Sequence, residues 1–215
     1  MNLNSIIQWI AATIPTDMDV LVPVSGGSDS AFCFWLCNQA LPGRVRGMYF
    51  GTSLRCSEWF ESVGTVDYIQ TDLSTNNPEV TRWAYCLERA LRDNLVLVGS
   101  HTKTERLLGT YSNASRLAMT LPLAGVWKSD CVRFCEHIGI PDEIINSSRR
   151  ADIDCGRTEE YAALTFDEVD DFLRQKLGET PTSPINQTNV EYLEKLYLSH
   201  AAKRAFPLLG PEPAL

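Results

Sequence analysis

No stretch of the 215-residue chain approaches the ~20 consecutive apolar residues that a membrane-spanning helix needs. Positive charge is also scarce. Nineteen lysines and arginines stand against 27 acids, and the net charge of −8 disfavours general affinity for phosphate backbones or anionic membranes. Neither a nucleic-acid partner, tRNA included, nor a membrane is therefore expected. Met1 to Ile14 has neither the basic start nor the continuous apolar core of a signal peptide, so the expected location is cytoplasmic. The seven cysteines show no C-x-x-C spacing and no histidine partner pattern, which excludes the usual zinc sites. Their odd number without an export signal implies reduced thiols. Cys33 with Cys37, and Cys131 with Cys135, each share a helix face and read as core thiols, whereas Cys56 and Cys155 fall in expected loops. Internal repeats and low-complexity segments are absent, and no hairpin signal separates the apolar runs.

What is present is organised around one stretch. Val20-Leu21-Val22-Pro23-Val24 is a short aliphatic run that breaks at Ser25-Gly26-Gly27-Ser28-Asp29-Ser30 and resumes as apolar Ala31 to Leu36. This reads as buried strand, tight turn and helix. Gly26 and Gly27 allow backbone N–H groups to approach an anion, and Ser28 to Ser30 fall where a helix dipole attracts negative charge. Asp29 would repel a phosphate unless a divalent cation stood between them, so the turn predicts Mg²⁺ as well as nucleotide. The spacing is neither the Walker pattern nor G-x-G-x-x-G. An ordinary serine-capped helix after a glycine turn is the plainer alternative. Pro23 is anomalous for a central strand, because it removes a ladder donor.

Elsewhere the pattern alternates strand and helix. A helix over residues 3–13 precedes the first strand, and further strands are expected at Arg44 to Phe50, Val66 to Ile69 and Leu95 to Val98. Helical periodicity covers Pro78 to Arg92, Thr102 to Leu108, Lys128 to Ile138, Phe166 to Leu177 and Val190 to Arg204. The expected fold class is a single α/β domain over 1–215, a Rossmann-like parallel sheet with helices on both faces and a helical C-terminal part. Thr165 to Glu168 is a capping-box pattern, Thr180 to Pro184 a polar linker, and Pro207 to Leu215 a tail. Ligands of such sheets bind beyond the carboxyl ends of the strands, which aims Ser25 to Ser30 and Gly99-Ser100 into one crevice.

The S-G-G-x-D-S turn resembles that of the ATP pyrophosphatases. Gly99-Ser100-His101-Thr102-Lys103-Thr104-Glu105, followed by Gly109, resembles the G-T-x-N-K-T-E-x-x-x-G block of the ammonia-dependent NAD synthetases. Pro122 to Pro141, Ala151-Asp152 through Glu160, Phe166 to Asp170 and Lys203 to Pro207 resemble further blocks of that family, in order. The resemblance implies that ATP and Mg²⁺ convert the nicotinate carboxylate of deamido-NAD into an acyl-adenylate. Pyrophosphate leaves, and ammonia forms the amide and releases AMP. It implies that Ser25, Gly26, Gly27, Ser28, Asp29, Ser30, Ser100, Lys128 and Arg150 bind the nucleotide phosphates. Asp29 and Glu105 are the implied metal ligands, with Lys128 beside them in catalysis. On the acceptor side, the candidates are Arg116, Asp152, Glu160, Lys203 and Arg204.

The chain departs from the family at several places. Thr110 to Thr120 carries no acid where the family has Y-G-D-G-x-x-D, and Ser147-Ser148-Arg149-Arg150 stands where the family has Lys-x-Pro-(Ser/Thr). In that alignment Arg150 replaces a phosphate-binding hydroxyl. Arg157 and Glu159 stand for Gln and Asp, and the segment after the second strand is shortened to Phe50 to Arg55. The family forms a homodimer through elements near that shortened segment. No glutaminase domain is evident, so free ammonia or a separate glutaminase is the expected nitrogen source.

Three other readings stay open: amidation of a different carboxylate, a sulfur-transfer relative using Cys56 or Cys155, and a nucleotide-binding protein without catalysis. Asp29→Asn is expected to abolish Mg²⁺-dependent turnover and leave the fold intact.

Overall fold

The computed structural model describes residues 2–70, 77–150 and 157–205. Asp152, Cys155, the residues from Phe206 onward and the exit of the third strand lie outside them. The chain runs α1 (Leu3–Thr13), β1 (Asp19–Pro23), α2 (Ser28–Ala40), β2 (Val45–Phe50), α3 (Ser57–Val63), β3 (Thr65–Ile69), α4 (Pro78–Arg92) and β4 (Leu95–Leu97). The helical part follows as α5 (Lys103–Leu108), α6 (Lys128–His137), α7 (Asp142–Ser147), α8 (Glu159–Ala162), α9 (Phe166–Lys176), α10 (Gln187–Ser199) and α11 (Ala201–Ala205). A short 3-10 turn, Ala114–Leu117, lies between α5 and α6.

The four strands pair in parallel in the order β3-β2-β1-β4. Successive β1 side chains serve opposite faces, as a strand's period of two requires. Val20 and Val22 join α1, α2, α6 and α7 in the larger core, while Leu21 packs with Met48, Cys86, Ala90 and Leu97 beneath α4. Helix α2 buries Ala31, Phe32, Cys33, Phe34, Leu36 and Cys37 almost completely, so it is apolar on most of its circumference. Cys131 and Cys135 are equally buried, and the six cysteines among the described residues are free thiols.

Pro23 has a geometric explanation. Val20 and Val24 donate to Arg44 and Met48 at 2.9 and 2.8 Å, on the β2 side. Pro23, one residue out of phase, faces β4, whose pairing with β1 ends at Leu21. The missing N–H therefore costs no ladder bond.

The helix expected over Val190 to Arg204 is two helices, α10 and α11, interrupted at His200. The segment read as a linker is anchored: Thr182 and Ser183 each donate a backbone N–H to the buried Asp171 carboxylate at 2.9 Å. The capping box at Thr165 and Glu168 forms as the sequence indicates. No helix among the described residues is long and apolar enough to cross a membrane.

Candidate functional site

The chain runs from β1 into β2 on one side and returns to place β4 on the other, so strand order reverses between β1 and β4. The β1 turn lies at that crevice. Gly26 takes φ +80°, a left-handed conformation that a side chain would strain, and its virtual Cβ would meet Leu54 and Arg55. Ser30 pins the turn. Its hydroxyl accepts from the Ser25 N–H at 3.1 Å, lies 3.0 Å from Ser25 Oγ and donates to the Gly27 carbonyl at 3.0 Å.

Asp29, in the first turn of α2, points its Oδ1 at Lys128 Nζ, 2.5 Å away. Lys128 is the first residue of α6 and is buried, and its ammonium also donates to Ser28 Oγ at 3.0 Å. Burial works to lower the Lys128 pKa, but the charges of Asp29 and Glu105 outweigh it and hold the ammonium above its ordinary range. Cys131, one turn along α6, donates its thiol to the same Asp29 oxygen at 3.2 Å. Hydrogen bonding with Cys135 and burial keep that thiol protonated.

Glu105 approaches from α5. It is no solvated helix carboxylate: its Oε2 accepts from the Thr102 N–H at 2.9 Å and hydroxyl at 3.0 Å, closing a capping box at the start of α5. Burial first, and then the charge of Asp29, push the Glu105 carboxyl above the usual range, while Lys128 opposes them. Glu105 is thus within electrostatic reach of the Asp29–Lys128 pair, without an ion pair to Lys128 among the described residues. Asp29 Oδ2 and Glu105 Oε1 accept no hydrogen bond among the described residues. Nor, among the described residues, do three or more His, Cys, Asp or Glu side chains gather there into a closed metal cage.

Two supporting residues were not marked as site residues by the sequence. Asp170 of α9, fully buried, accepts from the Ser129 N–H at 2.9 Å and from the Thr104 hydroxyl, and Thr104 Oγ1 accepts from the Lys128 N–H at 2.8 Å. This carboxylate caps α6 and fixes where Lys128 begins. Ser148, also buried, meets Ser28 Oγ at 2.7 Å. Arg150, expected to stand in for a phosphate-binding hydroxyl, is exposed, and a hydroxyl that does reach the turn comes from Ser148. Ser148, directly after α7, and Asp170 could be picked out only from the tertiary contacts they make with Ser28 and with Ser129 and Thr104.

Ser100 is half-buried just past β4. His101 beside it is pushed down to about 4 by burial and by the charges of Arg106, Lys203 and Arg116, against the pull of Asp29. Beyond His101 opens a cavity of about 650 Å³ between α5, the 111–125 segment and α11. Arg116 and Arg204 both line it, and Lys203 stands 5.0 Å from the Tyr111 ring at its edge. These three sequence candidates are therefore brought together. Glu160 is not among the lining residues. It is exposed in the first turn of α8, where its own N–H and the Thr158 hydroxyl hold its carboxyl below the usual range. Cys56, at the start of α3, lies near Glu143, and burial and that carboxylate push its thiol up.

A parallel sheet with helices on both faces, opened by a glycine turn at the reversal of strand order, defines a Rossmann-like α/β protein. Residues 66–207 match the sequence profile described as NAD synthase, and the chain belongs to that family. The turn at Ser25 to Ser30 precedes the matched residues. The NH3-dependent NAD+ synthetase of Chlorobium phaeobacteroides is 26% identical over 138 residues, 60% of this chain and 50% of the relative. The matched part thus spans about half the length of that curated relative. Among solved structures, the chain resembles NMN synthetase from Francisella tularensis with a TM-score of 0.74 and 20% identity, covering 99% of this chain and 97% of that one. It resembles NH3-dependent NAD synthetase from Campylobacter jejuni with a TM-score of 0.74 and 17% identity, covering 98% and 100%.

Proposed function

We propose that this protein is an ATP-dependent carbon–nitrogen ligase that adenylates a nicotinate carboxylate, releases pyrophosphate and transfers ammonia to give the amide and AMP. The observation that carries the reading is the Asp29–Lys128 ion pair on the glycine turn at the crevice between β1 and β4, with Glu105 within its electrostatic reach. The family profile supports it, and the names of the curated relatives make deamido-NAD the first acceptor to test.

A carboxylate is a poor electrophile, and adenylation gives it AMP as leaving group. The N–H groups of Gly26, Gly27 and Ser28 and the dipole of α2 suit the triphosphate tail. Lys128, which contacts Asp29 and Ser28, would pass from its carboxylate to a departing phosphate oxygen. The chemistry of Asp29 and Glu105 fits Mg²⁺, which commonly takes one or two carboxylates and completes its shell with phosphates and water. Each of the two carboxylates offers an oxygen with no hydrogen bond among the described residues. When bound, the ion would neutralise charge on the leaving pyrophosphate. The names of the curated relatives make ammonia the nitrogen donor to test first.

A second reading, amidation of a smaller acid, is favoured by the 110–120 segment. It places Tyr111 and Arg116 in the cavity where the family pattern has acids, and one solved relative is described as an NMN synthetase. Burial and Glu143 raise the Cys56 thiol, which counts against sulfur relay through that residue. The test is release of AMP and pyrophosphate from ATP, Mg²⁺ and ammonium, with deamido-NAD and nicotinate mononucleotide in parallel. Product with either acid supports the ligase. No release with any carboxylate supports nucleotide binding without catalysis.

A further inference from the structure

Every hydrogen bond that the Asp29 side chain accepts among the described residues falls on one of its oxygens. Lys128 Nζ at 2.5 Å, Cys131 Sγ at 3.2 Å and Ser28 Oγ at 3.4 Å all donate to Oδ1, and Oδ2 accepts none. These donors differ in how firmly they hold it. The Lys128 ammonium ends a long, flexible stem. Ser28 precedes Asp29 in the same turn, and its hydroxyl is shared with Lys128 at 3.0 Å and with Ser148 at 2.7 Å. Cys131 reaches across from α6 on a side chain with a single heavy-atom torsion, and it is fully buried. Its helix is fixed in turn by Asp170, which accepts from the Ser129 N–H at 2.9 Å.

A carboxylate plane turns readily, because the last torsion of aspartate is broad. The ion pair with Lys128 fixes that plane only while the lysine stays, and in the reaction proposed above its ammonium passes to a departing phosphate oxygen. Cys131 belongs to the larger core and stays where α6 holds it. A thiol is a weak donor, so it orients Oδ1 without displacing the lysine. Cys135, one turn along α6, holds the backbone of the same segment, its Sγ donating to the Ser28 carbonyl at 3.8 Å. One thiol of α6 thus meets the main chain at the start of α2, and the other meets its acid.

We propose that Cys131 is a positioning residue for Asp29: its thiol keeps Oδ1 turned toward α6, so that Oδ2 is the oxygen presented to a divalent cation in the crevice. The inference rests on the ATP and Mg²⁺ chemistry proposed above. It gives a role to a thiol that the sequence reads as core packing alone. Cys131 acts only through Asp29 and touches neither nucleotide nor acceptor.

The experiment has two arms. In the first, electron paramagnetic resonance with Mn²⁺ in place of Mg²⁺ and a non-hydrolysable ATP analogue measures cation affinity without turnover. Cys131→Ala should weaken Mn²⁺ binding by about threefold to tenfold, the loss of one modest hydrogen bond. Cys131→Ser keeps a donor and should recover most of it. Should Cys131→Ala not fold, Cys131→Val removes the donor with less lost packing. Cys37→Ala, at a buried thiol about two turns from Asp29 along α2, should lower stability and leave Mn²⁺ affinity unchanged. The second arm needs neither metal nor turnover. The infrared S–H stretching band that disappears in Cys131→Ala should move to higher frequency in Asp29→Asn, because a neutral amide is a weaker acceptor than a carboxylate. Mn²⁺ affinity unaltered when the Cys131 donor is removed, lowered equally in Cys37→Ala or not recovered in Cys131→Ser overturns the proposal, as does an S–H band indifferent to Asp29. If the wild type binds no Mn²⁺, the cation reading falls and the role of Cys131 with it. If Mn²⁺ binds and no acid is amidated, the ligase reading alone fails.

Discussion

Lys128 Nζ lies 2.5 Å from Asp29 Oδ1, joining the start of α6 to the first turn of α2 across 99 residues of sequence. The carboxylate that the sequence suggests for a cation is, in the protein alone, the counter-ion of a buried lysine.

That pairing revises the expectation that Asp29→Asn leaves the fold untouched. The two side chains are 8% and 16% exposed, so removing the acid strands a buried ammonium. Asp29→Asn should cost about 3 kcal/mol in urea unfolding as well as turnover. Adding Lys128→Met should recover part of the stability and none of the activity. A single variant as stable as the wild type would contradict the pairing.

Asp170 sets the start of α6 through Ser129 and Thr104, and it is fully buried. In Asp170→Asn one of those two donors faces an amide N–H₂ instead of an acceptor. The expected cost is about 1–3 kcal/mol, with kcat falling more than the KM for ATP because Lys128 shifts. Denaturant melts and steady-state kinetics measure both.

His101 supplies a pH signature. Its folded pKa is lowered to about 4 from an ordinary 6.5, chiefly by burial. The unfolded chain therefore takes up this proton first. The stabilisation from a neutral His101 is complete above pH 6.5 and is lost as pH falls toward about 4. His101→Phe should flatten the loss of melting temperature between pH 7 and pH 5, and an unchanged slope would contradict the shift.

Gly109 ends α5 at φ 84°, and a Cβ there would stand 2.6 Å from His200 Cβ. Gly109→Ala should cost about 2–4 kcal/mol through backbone strain and the forced retreat of His200. Because α11 follows His200 and carries Arg204, the KM for the acceptor should rise more than that for ATP.

The four strands and helices α1, α2 and α4 were legible because their periodicity is clean, whereas α3, which follows Cys56 in a left-handed conformation and has no side-chain cap, was not expected. Glycine and serine spelled out the β1 turn directly. The interruption at His200 was not legible, since apolar spacing continues through Val190 to Arg204 while the contact with Gly109 that bends the chain is tertiary. Glu105 drew notice as a candidate metal ligand but not as a cap, because the pattern from Thr102 to Glu105 overlaps the motif that drew notice to it. Ser148 and the cavity were out of reach for a shared reason. Ser148 meets Ser28 across 120 residues, and the cavity gathers side chains from three separated segments, so no local spacing encodes either.

The central claim is that the acceptor carboxylate attacks the α-phosphorus of ATP. Incubation of the protein with ATP, Mg²⁺, ammonium and an acceptor labelled with ¹⁸O in its carboxylate, followed by mass spectrometry of the AMP, tests it directly. Adenylation moves one carboxylate oxygen into AMP, so AMP carrying one ¹⁸O is predicted. Amide formed alongside unlabelled AMP, or ATP cleaved to ADP and labelled phosphate, would contradict it.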